Sequence, residues 1–390
     1  MFERGLGLAL VIGVMLMVGA PAAHTSDCNT DTEQNRPIQL GVSGGNFASI
    51  GGGACCSGTL GSLVQLGSKQ YILSNGHVLA TGTGSQVVIQ PGLADLNCIP
   101  NSGLGIARGV RTIPISPCPN GNCAKFSRPN SVDAAIASVI KGDVDSSGKI
   151  LNIGNVAAGN AVAPTLNLAV QKMGATSCET SGVITAVNVT VAVSYPTVCN
   201  LGVSGTAIFT NQIEIASPSF SGPGDSGSLI VTTGSCPAAV GLLFAGSLDG
   251  TLTFANPMSA VLKSFGARMV GSTCGTSGGG GGSSGGGGHG PPGGPAHGPP
   301  GGGSAGVLPS ALVAPSTEEV NFAAGVKQRH EPDLLAQPGI LGAGVGASPA
   351  GQPVIKVYVE KATPAVRNSI PSSLEGVPLQ VDETGPIVAY

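Results

Sequence analysis

Short apolar runs rich in Val, Ile, Leu and Thr fill the first 270 positions, separated by clusters of Gly, Pro, Asn and Ser. Runs of this length between turn residues are typical of β-strands. Helical heptads are absent from this part of the chain, so no long amphipathic helix is expected there. The pattern predicts an all-β unit with many short strands.

The pattern changes in residues 311–390. Residues 318–336 have helical potential, which Pro332 should end or kink, because proline lacks the amide proton that a helix interior needs. Another short helix is expected at residues 364–370. Together with three predicted strands, these elements indicate a small α+β domain; the strands are residues 340–347, 354–359 and 377–381.

Between the two regions lies a Gly/Pro-rich stretch, residues 275–310, with an unbroken glycine run and two Gly-Pro-Pro-Gly words. Such a composition cannot bury a core and predicts a flexible linker. About 30 flexible residues span roughly 30 Å, so the C-terminal domain could reach back to the rest of the protein. We therefore expect an intramolecular contact between the two parts.

The N-terminus and the composition indicate where the protein works. Residues 1–23 have the apolar run and small-residue end of a signal peptide; a membrane anchor is the alternative, but the run is short for a span. Ten cysteines follow it, as expected of a secreted or periplasmic protein. A net charge of −3 with 9% charged residues gives no basic surface for nucleic acid. After signal cleavage no membrane contact is expected.

The first candidate for a catalytic site is the motif Gly-Asp-Ser-Gly-Ser at residues 224–228. A serine between glycines, before an apolar strand, has an exposed hydroxyl and a free amide, which suits a nucleophile beside an oxyanion hole. Ser226 needs a base that titrates near neutrality. His77 is the one histidine between His24 and His289. Asp133 heads an apolar strand, where a carboxylate needs a partner such as an imidazole.

These words resemble the chymotrypsin/trypsin-like serine peptidases, and more narrowly their bacterial secreted branch. The order His77, Asp133, Ser226 matches, as do Leu-Ser-Asn-Gly-His at 73–77 and Asp-Ala-Ala-Ile at 133–136. The resemblance covers roughly residues 38–270. It implies a chymotrypsin-like double β-barrel in a peptidase domain of residues 24–274, with the site in the cleft between the barrels.

The resemblance also implies further roles. Gly224 and Ser226 would supply the oxyanion-hole amides, while Phe220, Ala245 and Gly246 would contact substrate. Because Phe220 stands where a trypsin has an acid, cleavage after Lys or Arg should be poor, and an apolar or small residue before the scissile bond is expected. Phe244 replaces a family serine and removes a polar contact near the catalytic acid. Asp225 would hold the oxyanion turn through a buried ion pair, although no new N-terminal amine is apparent as its partner.

The predicted function is a secreted serine endopeptidase that acts on protein or peptide substrates without a metal or other cofactor. A catalytically silent homologue that binds proteins is the alternative. An α/β-hydrolase is disfavoured, since its histidine should follow the serine and its motif needs glycine at the position of Ser228. Among the cysteines, Cys178 and Cys199 bracket a predicted strand pair at residues 183–193 and are the expected bridge, and Cys118 and Cys123 could close a small loop. No histidine stands at metal-ligand spacing from a cysteine.

Overall fold

The structure is a computed structural model that describes residues 28–273, except positions 82, 101, 120–122, 124–127 and 200, and residues 314–390. The expected signal peptide and the Gly/Pro-rich linker lie outside the described residues. Within the described part, no helix is both long enough and apolar enough to cross a bilayer.

Nine strands and one short helix make up the first half. They are β1 (Val42–Asn46), β2 (Ile50–Gly51), β3 (Ala54–Cys55), β4 (Gly58–Leu60), β5 (Ser62–Leu66), β6 (Lys69–Ser74), α1 (Gly76–Leu79), β7 (Val87–Gln90), β8 (Leu104–Thr112) and β9 (Ala135–Val139). A 3₁₀ turn at Leu93–Leu96 follows β7. The sheet has the strand order β1-β7-β8-β9-β6-β5. β4 pairs with β1 and leads directly into β5, which pairs with β6. The sheet therefore closes into a barrel. The small strands β2 and β3 form a separate hairpin.

Another closed sheet forms the second half. Its elements are β10 (Ala169–Gly174), β11 (Cys178–Tyr195), β12 (Gly205–Ala216), β13 (Leu229–Thr232), β14 (Ala239–Ser247), β15 (Leu252–Pro257), α2 (Met258–Phe265) and β16 (Arg268–Met269). The strand order β10-β13-β14-β15-β12-β11 closes where β11 pairs with β10. β16 returns to β5 of the first barrel. The expected all-β double barrel is confirmed.

The interior of the first barrel holds mainly aliphatic and small side chains, whereas the second barrel also buries phenylalanines such as Phe209. Leu40, Leu60, Ile72 and Ile136 are fully buried in the first barrel. Burial of each such side chain contributes about 1.5–3 kcal/mol. These cores hold the two barrels rigid on either side of the cleft.

The strand pair expected at residues 183–193 is wrong, because this segment lies within the single strand β11. Breaks in its register against β12, between Ile184 and Val191, bend the strand. Its ends and middle therefore face different neighbours: β11 pairs with β10, β12 and β17 (Ile340–Ala347). Asn188, which has a positive φ of 51°, lies within this irregular stretch.

The expected bridge between Cys178 and Cys199 is also wrong. Cys178 bonds to Cys28, and Cys199 bonds to Cys56. A bridge needs Cα atoms about 4.4–6.8 Å apart, and these two cysteines stand near opposite ends of an extended strand. The loop closed by Cys118 and Cys123 is present, and a further bridge joins Cys55 to Cys98.

The C-terminal region contains α3 (Thr317–Leu335), β17 (Ile340–Ala347), β18 (Pro353–Val359), α4 (Pro364–Ser369), β19 (Ser373–Leu374), β20 (Val377–Glu383) and β21 (Ile387–Ala389). The two predicted helices and three predicted strands are present, whereas β19 and β21 were not predicted. Pro332 lies inside α3, one turn before its end. β17 pairs with β11, so the sheet of the second barrel continues into this region.

A buried ion pair joins the C-terminal region to the second barrel. Lys356 of β18 lies 2.5 Å from a carboxylate oxygen of Glu214 in β12 and 3.0 Å from Asp382. Glu214 has no exposed surface. Burial lowers the pKa of Lys356, but the negative charges of Glu214 and Asp382 outweigh burial and raise the pKa above its usual value. The region is thus attached through both backbone pairing and charge.

Candidate active site

His77 lies in α1, directly after β6 ends, and its side chain is 5% exposed. Asp133 precedes β9, the neighbour of β6 in the first barrel. The Nδ1 of His77 and the Oδ2 of Asp133 are 2.5 Å apart. Two residues far apart in the chain therefore meet because their strands are adjacent.

The carboxylate of Asp133 is fully buried and held by backbone donors. Its Oδ1 accepts from the amides of Gly76 at 2.6 Å and His77 at 3.3 Å. Asn256 of β15 accepts from the Asp133 amide at 3.0 Å. Hydrogen bonds to a carboxylate stabilise its charged form. These contacts fix the Asp133 carboxylate in position against the imidazole.

Tyr195, at the end of β11, restores the polar contact that the sequence indicated was lost at Phe244. Its hydroxyl donates to the Oδ2 of Asp133 at 2.9 Å, and its ring meets the His77 ring edge-on at a centroid distance of 5.8 Å. Burial, followed by the charge of Asp133, raises the pKa of Tyr195 well above 10. The hydroxyl thus stays a donor at any working pH. Sequence reasoning missed this residue, since nothing near Tyr195 resembles a site motif.

We predict that Tyr195→Phe lowers the free energy of unfolding by about 1.5–3 kcal/mol, the usual contribution of a hydrogen bond to a charged group. The pKa of His77 should rise, because Asp133 then neutralises the imidazolium with less competition. Denaturant unfolding and NMR titration of His77 measure the two effects. Tyr71→Phe is the matched control, because the half-buried Tyr71 hydroxyl makes no hydrogen bond within the described residues. Equal effects of the two changes would contradict the assignment.

The second ring nitrogen of His77 faces the C-terminal segment. Its Nε2 lies 3.0 Å from the carbonyl oxygen of Tyr390. Burial lowers the pKa of His77, but the charge of Asp133 and the hydrogen bonds to Asp133 and Tyr390 outweigh burial and raise the pKa above 6.5. The imidazole is therefore able to take up a proton near neutral pH.

Ser226 lies before β13 and is fully buried. Its Oγ donates to the carbonyl of Phe244 at 3.1 Å, whereas the Nε2 of His77 contacts Tyr390. No hydrogen bond joins Ser226 to His77 in this structure. Both side chains approach the last residue of the C-terminal segment, because the Phe244 carbonyl accepts from Ser226 and from the Tyr390 amide, and the Tyr390 carbonyl lies at Nε2.

The turn before Ser226 leaves two amides without a partner. Gly224 adopts a φ of 101°, which disfavours any side chain, and a Cβ there would lie 2.2 Å from the Thr176 hydroxyl. Within the described residues, neither the Gly224 amide nor the Ser226 amide donates a hydrogen bond. Unpaired amides at such a turn are suited to bind an anionic oxygen.

Asp225 is fully buried, and Lys172 of β10 takes the place of the N-terminal amine as its ionic partner. The Lys172 Nζ lies 3.5 Å from the Asp225 Oδ2. The other oxygen accepts from the amides of Thr176 and Ser177 at 3.0 and 3.1 Å. Burial lowers the pKa of Lys172, and Asp225 partly offsets that shift. A lysine within the apolar strand β10 was a signal that sequence reasoning missed.

The three expected substrate-contacting residues line one side of the cleft. Phe220 is fully buried, and Ala245 and Gly246 lie in β14. β21 of the C-terminal region pairs antiparallel with β14 along these positions. A cavity of about 370 Å³ adjoins this segment and is lined by His77, Gly224 and Tyr390 among others.

Solved structures similar to this chain are bacterial chymotrypsin-like serine proteases. Thermobifida fusca protease A is 18% identical, with a TM-score of 0.38, over 60% of this chain and 99% of its own. A Cellulomonas bogoriensis chymotrypsin is 22% identical, with a TM-score of 0.37, over 60% and 99%. Nocardiopsis protease is 19% identical, with a TM-score of 0.38, over 60% and 98%. No protein-family model and no curated protein matches the chain.

These matches agree with the resemblance found in the sequence. The double barrel itself is seen in the strand order, and the matches carry no argument about activity. The residues described above must carry that argument. Among the described residues, no group of three His, Cys, Asp or Glu side chains is placed to hold a metal ion.

Proposed function

We propose that the protein is a serine endopeptidase that hydrolyses peptide bonds through an acyl-enzyme intermediate. The observation that carries the proposal is the buried pairing of Asp133 with His77 beside Ser226 and two unpaired amides. Each group suits one step of acyl transfer. A binding protein has no need of a buried, oriented imidazole at such a turn.

In the proposed mechanism, the Nε2 of His77 takes the proton of the Ser226 hydroxyl as Oγ attacks the scissile carbonyl carbon. Asp133 keeps the Nδ1 proton in place and stabilises the imidazolium. The amides of Gly224 and Ser226 donate to the oxyanion, and the loss of one such donor costs roughly 10²–10³ in kcat. His77 then protonates the leaving amine, and water releases the acyl group by the reverse path.

The mechanism requires two local movements from the present arrangement. The Ser226 hydroxyl must turn from the Phe244 carbonyl, and the carbonyl of Tyr390 must leave Nε2. The first movement is the rotation of one small side chain, whereas the second detaches a strand that is paired with β14, so removal of Tyr390 is the slower requirement. The site is therefore proposed to work after the C-terminal segment withdraws.

For the chain as a whole, we propose secretion through the signal peptide at residues 1–23 and a peptidase domain over residues 24–274. Residues 275–310 would link it to the domain of residues 311–390. Oxidised cysteines support an extracellular or periplasmic location. Protein or peptide substrates follow from the proposed chemistry.

Labelling with a fluorophosphonate probe tests the proposal. In a chain that carries Tyr390→Ala, which removes the side-chain contacts that hold the C-terminal segment in the cleft, we expect stoichiometric labelling that is lost with Ser226→Ala. Ser228→Ala is the matched control, because the buried Ser228 hydroxyl has no hydrogen-bond partner in the described residues. Mass spectrometry of the labelled peptide locates the adduct.

Labelling that persists in Ser226→Ala would contradict the nucleophile. A chain that is folded but not labelled would instead favour the binding-protein alternative. Near-ultraviolet circular dichroism distinguishes a folded chain from a misfolded one in each variant.

A further inference from the structure

The C-terminal segment lies in the cleft, where its backbone pairs with β14 as a bound peptide strand would. Ile387, Val388 and Ala389 pair antiparallel with Ser247, Gly246 and Ala245 respectively. Paired backbones of this kind bind a peptide by adding a strand to a sheet edge. Such pairing holds the main chain and leaves specificity to the side-chain pockets.

Tyr390 brings this strand to the candidate catalytic groups. Its amide donates to the carbonyl of Phe244 at 3.4 Å, and its carbonyl oxygen lies 3.0 Å from the Nε2 of His77. A substrate residue before a scissile bond must place its carbonyl carbon at Ser226 and the oxygen toward the Gly224 and Ser226 amides. After cleavage, the new carboxylate of that residue lies beside the imidazole. Tyr390 therefore stands in the position of that residue.

The side chain of Tyr390 fills a pocket that fits it closely. Tyr390 is 8% exposed and belongs to the same buried cluster as Phe220. Its hydroxyl donates to the carbonyl of Ser247 at 2.6 Å. A Cβ on Gly246 would lie 2.2 Å from the hydroxyl oxygen, so the ring occupies space that exists because residue 246 is glycine.

We infer that the primary side-chain subsite of this cleft selects tyrosine, and that Ile387–Tyr390 is the chain's own occupant of it. The inference rests on the proposed function and names its substrate class: peptides with tyrosine, and less favourably phenylalanine, before the scissile bond. It replaces the broader expectation of an apolar or small residue at this position. The same contact keeps substrate out while the segment is bound.

The acidic side chains near the pocket already have partners. The Nζ of Lys172 lies 5.8 Å from the ring centroid of Phe220. The Asp225 carboxylate is already engaged by Lys172 and backbone amides. The Asp249 carboxylate accepts from Ser247 and Thr251. Lys or Arg would therefore enter without a free acidic partner.

Small residues would fill the pocket poorly. Alanine would leave the space above Gly246 empty and the Ser247 carbonyl without the tyrosine donor. Loss of one well-buried aromatic side chain corresponds to roughly a hundredfold weaker binding or more. Loss of the hydroxyl alone corresponds to about threefold to tenfold.

Peptide binding tests the subsite without any hydrolysis. In the full chain with Ser226→Ala and Tyr390→Ala, we would titrate acetyl-Pro-Ile-Val-Ala-Tyr and its analogues ending in Phe, Ala, Arg or Glu, by calorimetry. Tyr should bind tightest, Phe about threefold to tenfold weaker and Ala at least about a hundredfold weaker. Equal affinities, no binding by any peptide, or a preference for Arg, Glu or Ala would overturn the inference.

Substitution of the resident tyrosine tests occupancy of the cleft in the native chain. The rate of fluorophosphonate labelling should be higher in Tyr390→Phe than in the native chain, and higher again in Tyr390→Ala. Phe322→Ala is the matched control, because Phe322 lies on α3 of the same region and is 56% exposed; its rate should equal that of the native chain.

If the native chain, Tyr390→Phe and Tyr390→Ala were labelled at equal rates, the inference that Tyr390 occupies the cleft would be overturned. Absence of labelling in every variant would contradict the proposed nucleophile instead, and the peptide titration would still decide the subsite. The two failures are thereby distinguishable.

Discussion

Asp133→Asn is expected to lower kcat for peptide hydrolysis about 10⁴-fold, the effect that a wrong histidine tautomer has in a serine-histidine-aspartate site. The Oδ2 of Asp133 lies 2.5 Å from the Nδ1 of His77. An asparagine amide would donate at this position and force the proton to Nε2, where it blocks acceptance from Ser226. Steady-state kinetics in the Tyr390→Ala background measures kcat with the C-terminal segment held less tightly in the cleft.

The same variant should lower the pKa of His77. Burial already favours the neutral imidazole, and the charge of Asp133 is what opposes burial. A lower pKa leaves the imidazole neutral to more acidic pH, so the acid limb of the residual rate should move to lower pH. Asp143→Asn is the control, because Asp143 pairs with Arg36 away from the cleft, and its kcat should stay unchanged. If Asp133→Asn lowered kcat by less than tenfold, the assigned role of Asp133 in orienting His77 would be contradicted.

Lys172→Met is expected to lower the free energy of unfolding by about 3–5 kcal/mol, the cost of leaving a buried charge without its ionic partner. Asp225 has no exposed surface and lies next to Ser226 in the turn. Loss of Lys172 should therefore also loosen the turn that carries the Gly224 and Ser226 amides. Denaturant unfolding and the rate of fluorophosphonate labelling measure the two consequences.

Lys141→Met is the matched control for this lysine, because Lys141 is exposed in a turn after β9, and its stability should change by less than about 0.5 kcal/mol. Asp225→Asn completes a double-mutant cycle. If the pair is coupled, the double variant should lose much less than the sum of the two single losses. Additive losses, or a Lys172→Met loss below about 1 kcal/mol, would contradict the buried pair.

Short sequence motifs were enough to predict His77, Asp133 and Ser226 as candidate catalytic residues. Each lies where a strand gives way to a turn or begins, and the surrounding glycines and apolar runs identify that place from a few neighbouring residues. The roles of these residues stay predictions, because geometry alone does not demonstrate turnover.

Contacts between distant parts of the chain were not predictable in the same way. Tyr195 reaches Asp133 across 62 positions, and Lys172 reaches Asp225 across the barrel. Neither residue lies in a recognisable motif, because each meets its partner only through the order in which the strands pair. The expected Cys178–Cys199 bridge failed for the same reason: closeness in sequence did not become closeness in space along the extended strand β11.

By itself, the sequence determined most of the kinds of element and the candidate chemistry, since apolar runs, turn residues and catalytic motifs are local properties of the chain. The double barrel was implied by the family resemblance of those motifs. The tertiary structure alone decided what fills the cleft. Tyr390 meets His77 across 313 positions, and their approach depends on β17 pairing with β11 and on β21 pairing with β14. Such a contact depends on how the sheet closes and continues, which no short stretch of residues encodes.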